Sequence, residues 1–300
     1  MNIRSVPVEL ERFLADVPRT TIVDKIVETC GLDRAETERL LEIYINEVSV
    51  GHGLIAPYLS PGLRILEVGS GLGVLSAFLS EQGYSVTSLE PVGKGFDFFS
   101  AGRQAVLRHV GEKPEQVLEI GAEELSWNRH GRFDLIFSVH VLEHLDHLDE
   151  AFDAMAGVLA PDGIMVHLCP NYTFPYDPHF GIPLLPFRPG LTRHLLPNSI
   201  RSSDLWRSLN FIKASRIRHL ARSHGMEARF TKGQLANMIM RVQEDPIFAK
   251  RHSGFAARAL AVASALGLDR AARIFPAFID SPMLVELRFQ NQPVKPSGTS

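Results

Sequence analysis

Between Leu63 and Cys169 short apolar runs alternate with longer amphipathic ones: LRILEV, VLSAFLSEQG, YSVTSLE, GFDFFSAGRQAVLRHV, QVLEI, FDLIFSV, LDEAFDAMAGVLA and GIMVHLC. Strand-like and helix-like periods in strict alternation predict crossover units and a parallel sheet covered on both faces. Residues 20–60 read as helices. Asp33 followed by Glu36 predicts a capped start to a helix whose Leu40, Leu41, Ile43, Tyr44 and Val48 recur at helical spacing, and Gly31 ends the helix before it. After Cys169 the alternation stops. Residues 170–200 are rich in proline and aromatics without helical or strand period, which predicts an ordered loop or lid. A helix at about 211–224, a strand at 226–231, a helical insertion and a final strand in SPMLVELRF follow. The expected division is a helical cap (1–58), a main domain (59–290) with a lid (170–210) and an insertion (233–280), and a polar, disordered tail (291–300).

Composition changes this picture little. The 300 residues carry a formal net charge of -3, so no overall field favours nucleic acid as a partner, and none is expected. Cys30 and Cys169 match no metal-ligand spacing and point to a reducing compartment, with the cytoplasm as the expected location. The first residues lack the apolar core of a signal peptide, and the longest apolar run late in the chain, LAVASALGL, is far short of the ~18 residues of a membrane span.

The segment ILEVGSGLGVLS carries the chemistry. A strand turning tightly into a helix needs glycine where φ is positive or where a ligand approaches the main chain, which accounts for Gly69, Gly71 and Gly73. The next strand ends in Glu90, whose carboxylate at the strand edge can accept both hydroxyl protons of a ribose. The glycine spacing departs from the G-x-G-x-x-G of dinucleotide sites, and Glu67 would repel a pyrophosphate while suiting a ligand with an ammonium and a sulfonium. A ligand-free tight turn is the bland alternative.

These residues resemble the class I S-adenosylmethionine-dependent methyltransferases, whose first motif is E/D-x-G-x-G-x-G and whose second strand ends in an acid. GAEEL, FDLIFSVHVLEHL and LAPDGIMVHL match further pieces in the right order, over roughly residues 50–170. The resemblance implies a Rossmann-like doubly wound sheet with an antiparallel last strand, and S-adenosyl-L-methionine as cofactor. It implies that Glu67, Gly69, Ser70, Gly71 and Gly73 face the methionine portion, Glu90 the ribose, and Ala122 and Glu123 the adenine; His140 is counted with the cofactor-binding residues and expected to line the substrate mouth. Many relatives hold the adenine amino group with an aspartate where this chain has Gly121, so Glu123 or the backbone must replace it.

His140, Glu143, His144 and His147 share one helical face and invite a metal reading. Some relatives bind a divalent ion at an E-x-x-E-H segment, but its first acid is His140 here and no companion ligand is identifiable. No metal is expected. Glu143 is left between a role here and a solvent-facing helical place. In the lid, Asn171, Tyr172 and Tyr176 are candidates for acceptor binding, and a proline-stiffened wrap over the core is the alternative. An oxygen acceptor needs a base, for which His140 and His179 are candidates with Asp177 as partner. The basic stretch from Arg188 to Arg222 suits an anionic substrate or a solvated face. The expected activity is O-methylation of a small-molecule or glycan-type acceptor. The competing readings are an NAD-dependent oxidoreductase, disfavoured by the glycine spacing, and a non-catalytic module that keeps the cofactor fold.

Overall fold

A computed structural model of the chain describes residues 6–93, 97–111, 116–251 and 272–290. Three helices lead: α1 (Val8–Asp16), α2 (Arg19–Cys30) and α3 (Arg34–Ile55). Gly31 closes α2 in the left-handed conformation, and the Asp33 carboxylate caps α3 by accepting the Glu36 N–H, as the pattern predicts.

The alternating segment then builds β1 (Arg64–Val68), α4 (Val74–Glu81), β2 (Ser85–Leu89), α5 (Asp97–His109), β3 (Gln116–Leu118), α6 (Trp127–His130), β4 (Phe133–Val139), α7 (Leu148–Val158) and β5 (Leu159–Cys169). The lid region forms the two-residue strands β6 (Tyr176–Asp177) and β7 (Ile182–Pro183), a 3-10 segment at Pro189–Leu195, and the single turns α8 (Asn198–Arg201) and α9 (Asp204–Arg207). It is therefore more structured than its composition suggests. Then come α10 (Ala214–Ser223), β8 (Met226–Thr231), α11 (Gln234–Glu244), α12 (Pro246–Arg251) and β9 (Met283–Phe289). The LAVASALGL run, much of the expected insertion and the expected tail lie outside the described residues.

The strands form one seven-stranded sheet in the order β3-β2-β1-β4-β5-β9-β8. Strands β3, β2, β1, β4 and β5 run parallel, whereas β9 is antiparallel to both β5 and β8. The fold is the doubly wound, mostly parallel α/β sheet with an antiparallel last strand that the motifs imply. Burial on both faces explains the near-continuous apolar strands. One core joins Ile65, Leu135 and Phe137 to α4, α5 and the leading helices through Leu10, Ile22, Leu41 and Ile45. The other joins Leu66, Ile136 and Met165 to α7, α10 and the lid through Tyr172, Leu184 and Trp206. Arg241 of α11 reaches Glu47 at 3.1 Å and Asp245 bonds Asn46 at 2.7 Å, which ties the segment after β8 to α3. No helix among the described residues is long and apolar enough to cross a membrane.

Candidate active site

Because β1, β4 and β5 are parallel neighbours, the residues after Val68, Val139 and Cys169 emerge at one sheet edge, where the order also reverses. After β1 the N–H groups of Gly69 and Ser70 both donate to Leu89 O, at 2.7 and 3.1 Å. Gly69, Gly71 and Gly73 then adopt φ of 73, 54 and 71°, a left-handed run that only glycine takes without strain. A Cβ on Gly69 would lie 2.3 Å from Val141 Cγ2, and one on Gly71 3.2 Å from the Phe99 ring.

Glu90 is buried and its Oε2 accepts the Gly71 N–H at 2.7 Å. Burial pushes its carboxyl up to about 7, against that hydrogen bond and nearby Arg103. Arg103, itself buried, donates to Gly71 O at 3.3 Å and to Glu119 at 3.2 Å. Glu67 accepts from the Ser76 hydroxyl of α4, which accepts in turn from Ser88 at 2.7 Å. Burial, reinforced by Glu90, pushes Glu67 up to about 8 despite the Ser76 bond. The Ser70 hydroxyl is buried in the same loop and has no hydrogen-bond partner among the described residues. A glycine cradle with an orphaned hydroxyl and two carboxylates fits a polar, cationic ligand such as S-adenosylmethionine.

At the far end of the edge, Gly121 precedes a 3-10 turn, Ala122–Glu124. Ala122 is buried in the core, with 1% of its surface exposed. Glu124 caps the turn by accepting the Gly121 N–H at 2.9 Å. Glu123 is exposed and folds back, so that a Cβ on Gly121 would meet its carboxylate oxygens at 2.5 and 2.6 Å.

His140 follows β4 with φ of 56°, held by its N–H to Leu168 O at 2.8 Å. A non-glycine residue in that region is strained, and such strain concentrates at functional sites. Glu143 sits on a 3-10 turn, Leu142–His144, rather than an α-helix, and it is fully buried instead of solvent-facing. Its Oε1 faces His179 Nε2 at 3.6 Å, His140 Nδ1 at 3.7 Å and His144 Nε2 at 3.9 Å. Burial would raise its carboxyl, but His140, His144 and His179 outweigh that and hold it below the usual range. His144 is pushed down to about 4 by burial, against the pull of Glu143. His179 Nδ1 lies 3.3 Å from Asp177 Oδ2, and Asp177 also accepts from Tyr172 Oη at 2.8 Å and from the Phe180 N–H at 2.9 Å. Asp177 is buried, yet these donors keep its carboxyl low.

The structure thus brings Glu67, Gly69, Ser70, Gly71, Gly73 and Glu90 into one constellation and His140, Glu143, His144, Asp177 and His179 into another. Val141 joins them. His147 instead precedes α7 at its N-terminus. Two expected acceptor-binding residues are placed elsewhere. Asn171 is buried and fully engaged, donating to Phe278 O and Asp280 O and accepting from Thr173 N and Ala214 N. Tyr172 is buried in the core with its hydroxyl committed to Asp177. Asn171 ties the start of the lid to the segment before β9 and to the start of α10, and Tyr172 ties it to Asp177 within the lid, the wrap that proline-rich composition also allowed, because a buried amide or phenol needs its bonds filled by the protein. Tyr176 is half-buried at the base of the β6–β7 hairpin, and burial pushes its phenol up to about 12. In the basic stretch, Arg216 pairs with Asp149, Arg207 with Asp204, and Arg218 covers the Phe230 ring.

Sequence reasoning missed Arg103 and Phe99, although they stand four residues apart on one helical face, the signal that both reach the loop. It also missed Asn210, which donates to Glu143 O at 2.8 Å and to Leu142 O at 2.7 Å and so holds the Glu143 turn. Nothing in the local pattern marks Asn210.

A family model described as a methyltransferase domain matches residues 39–231, more than half the chain and both constellations. The chain belongs to this methyltransferase family. An uncharacterised protein of Mycobacterium tuberculosis H37Rv is 35% identical over 234 residues, covering 75% of this chain and 78% of its own. A ubiquinone biosynthesis O-methyltransferase of Caulobacter sp. K31 is 32% identical over 117 residues, covering 37% of this chain and 42% of that enzyme. Among solved structures, an S-adenosylmethionine-dependent methyltransferase from Mesorhizobium loti is 19% identical, with a TM-score of 0.49 over 79% of this chain and 95% of that one.

Proposed function

We propose that this S-adenosylmethionine-dependent methyltransferase methylates an oxygen of a small-molecule or glycan-type acceptor. The observation that carries the reading is the seam at Val141. Its side chain closes on Gly69 of the cofactor loop, while its neighbour His140 opens toward solvent with 30% of its side chain exposed. The proposed cofactor contacts are Glu67 and the Gly69–Gly73 loop for the methionine portion, Glu90 for the ribose and Glu123 for the adenine. S-adenosylmethionine supplies an electrophilic methyl group with a neutral thioether as leaving group.

This chain's own residues then have to position the acceptor, exclude water and take one proton. His140 is the proposed base, accepting the hydroxyl proton on its imidazole. His179 is placed less well for that role, since Asp177 and Glu143 face its two ring nitrogens and only 10% of its side chain is exposed. His179 and Asp177 form the wall behind the acceptor, and Tyr176 at the hairpin offers it a ring face. The similarity to a protein named an O-methyltransferase supports the choice of oxygen.

The test is to incubate the protein with carbon-13 methyl-labelled S-adenosylmethionine and fractionated small-molecule extract, and to locate the label by NMR. A methoxy product is expected. Label on nitrogen or carbon would move the reading to another acceptor class, and binding of NAD without response to S-adenosylmethionine would reject it.

A further inference from the structure

Both carboxylate oxygens of Glu143 are buried without a hydrogen-bond partner among the described residues. Three imidazole nitrogens ring Oε1 instead, at 3.6 to 3.9 Å, too far for ordinary hydrogen bonds. A buried carboxylate left in that condition is costly unless something else satisfies it. Ligand atoms around a tetrahedral ion with bonds of ~2.0–2.2 Å stand roughly 3.3–3.6 Å apart, a separation His179 already has from Glu143 at 3.6 Å and that His144, at 3.9 Å, reaches by closing a few tenths of an ångström. One ligand atom each from Glu143, His144 and His179 fall within 4.8 Å of one another.

A second, independent observation concerns the far sides of the two rings. His144 Nδ1 is paired with Ser208 Oγ at 2.8 Å, and His179 Nδ1 with Asp177 Oδ2 at 3.3 Å. Each pairing fixes the ring so that Nε2 points at Glu143. That is how metal-binding histidines are oriented, by a carboxylate or hydroxyl on the remote nitrogen. The rings stand 5.1 Å apart, edge to face.

We propose that Glu143, His144 and His179 form a three-ligand site for a first-row divalent cation, with its open coordination position toward His140 and the acceptor. Two imidazoles and a carboxylate select a zinc-like ion over calcium or magnesium. The sequence expects no metal because His140 replaces the first acid of the pattern and no companion is visible. The fold supplies the companion as His179, and His140 stays outside the set, free to take a proton. Holding the acceptor's oxygen is the ion's role, which rests on the O-methylation reading; its binding does not.

The full chain, stripped by dialysis against a chelator, is titrated with zinc and with cobalt by calorimetry and visible absorption. One ion per chain is expected, with the cobalt bands of a low-coordinate nitrogen and oxygen site. His179→Ala and Glu143→Gln should each weaken binding by about 100-fold or more, and Asp177→Asn by about 10- to 100-fold, with circular dichroism unchanged. The wild-type titration stands even if a variant misfolds. Folded wild-type protein taking up less than one ion at micromolar concentrations, or folded His179→Ala and Glu143→Gln proteins binding as wild type, overturns the site. Calorimetry of S-adenosylhomocysteine on the stripped protein separates the two readings. Cofactor binding without metal uptake rejects only the site. Metal uptake without a cofactor response rejects the transferase reading and leaves the site.

Discussion

The carboxylate of Glu123 occupies the space into which a side chain on Gly121 would grow. An acid thereby reaches the place beside Gly121, the proposed adenine end, from two residues further along the chain. Glu123→Ala is expected to weaken S-adenosylhomocysteine binding by roughly 1 to 3 kcal/mol, as for loss of a hydrogen bond to a charged group. Gly121 has φ of -70°, open to any residue, so Gly121→Asp in the Glu123→Ala background should restore most of that affinity. Gly121→Asp alone should not improve it, because two carboxylates would compete for one place. Calorimetry on the three variants decides it, and undiminished binding by Glu123→Ala removes Glu123 from the cofactor site.

Gly69→Ala combines a left-handed backbone with a Cβ lying 2.3 Å from Val141 Cγ2. The variant is expected to lose about 2–4 kcal/mol of stability in urea unfolding, together with cofactor binding. Val141→Ala added to it should recover part of the stability, since it removes the two γ-methyl clashes and leaves a tight Cβ contact of 3.2 Å and the backbone cost. A double variant no more stable than Gly69→Ala would show that the contact is not what limits the loop.

Glu90 has its carboxyl raised to about 7, so it is substantially protonated in mildly acidic solution. In the proposed ribose contact the hydroxyls donate to its ionised form, and on that reading cofactor affinity should fall as pH drops below about 7. Glu90→Gln should bind more weakly and show a flatter dependence between pH 6 and pH 8. Parallel pH profiles for the two proteins, by calorimetry, would assign the effect elsewhere.

Glu67 is raised to about 8 in the folded chain against an ordinary value of 4.5. A folded-state value above the unfolded one means stability present below about 4.5 and lost as pH rises through about 8. The free protein should therefore melt at lower temperature at pH 8 than at pH 5 by more than Glu67→Gln does, in scanning calorimetry. Equal pH dependence in both would mean that Glu67 is already ionised in the fold.

His140→Gln is expected to leave cofactor affinity nearly unchanged and to lower turnover by about 100-fold or more, the usual share of a general base. His140→Gly accepts the φ of 56° without strain and controls for the backbone. If the glutamine variant is inactive while the glycine variant turns over normally, the loss lies in the loop and not in a proton transfer.

Much of this molecule was determined by the sequence alone, because the signals are local. Alternating periods set the order of strands and helices, Asp33 and Gly31 set helix ends, and three glycines with Glu67 and Glu90 marked the loop, since spacing dictates backbone form there. The histidine constellation was only half legible. His140, Glu143 and His144 are close in sequence, but their helical spacing misled, because the segment is a 3-10 turn held by Asn210 from a distant loop. Whether Asn171 and Tyr172 face a ligand or the core depends on Asp280, Ala214 and Asp177, partners that no periodicity reveals. The tertiary structure decided that His179 meets Glu143, that Glu123 fills the place beside Gly121, and that Arg103 braces the loop. Each is a contact between side chains on separate segments, and the energy of such a contact belongs to the packed fold, not to any window of the chain.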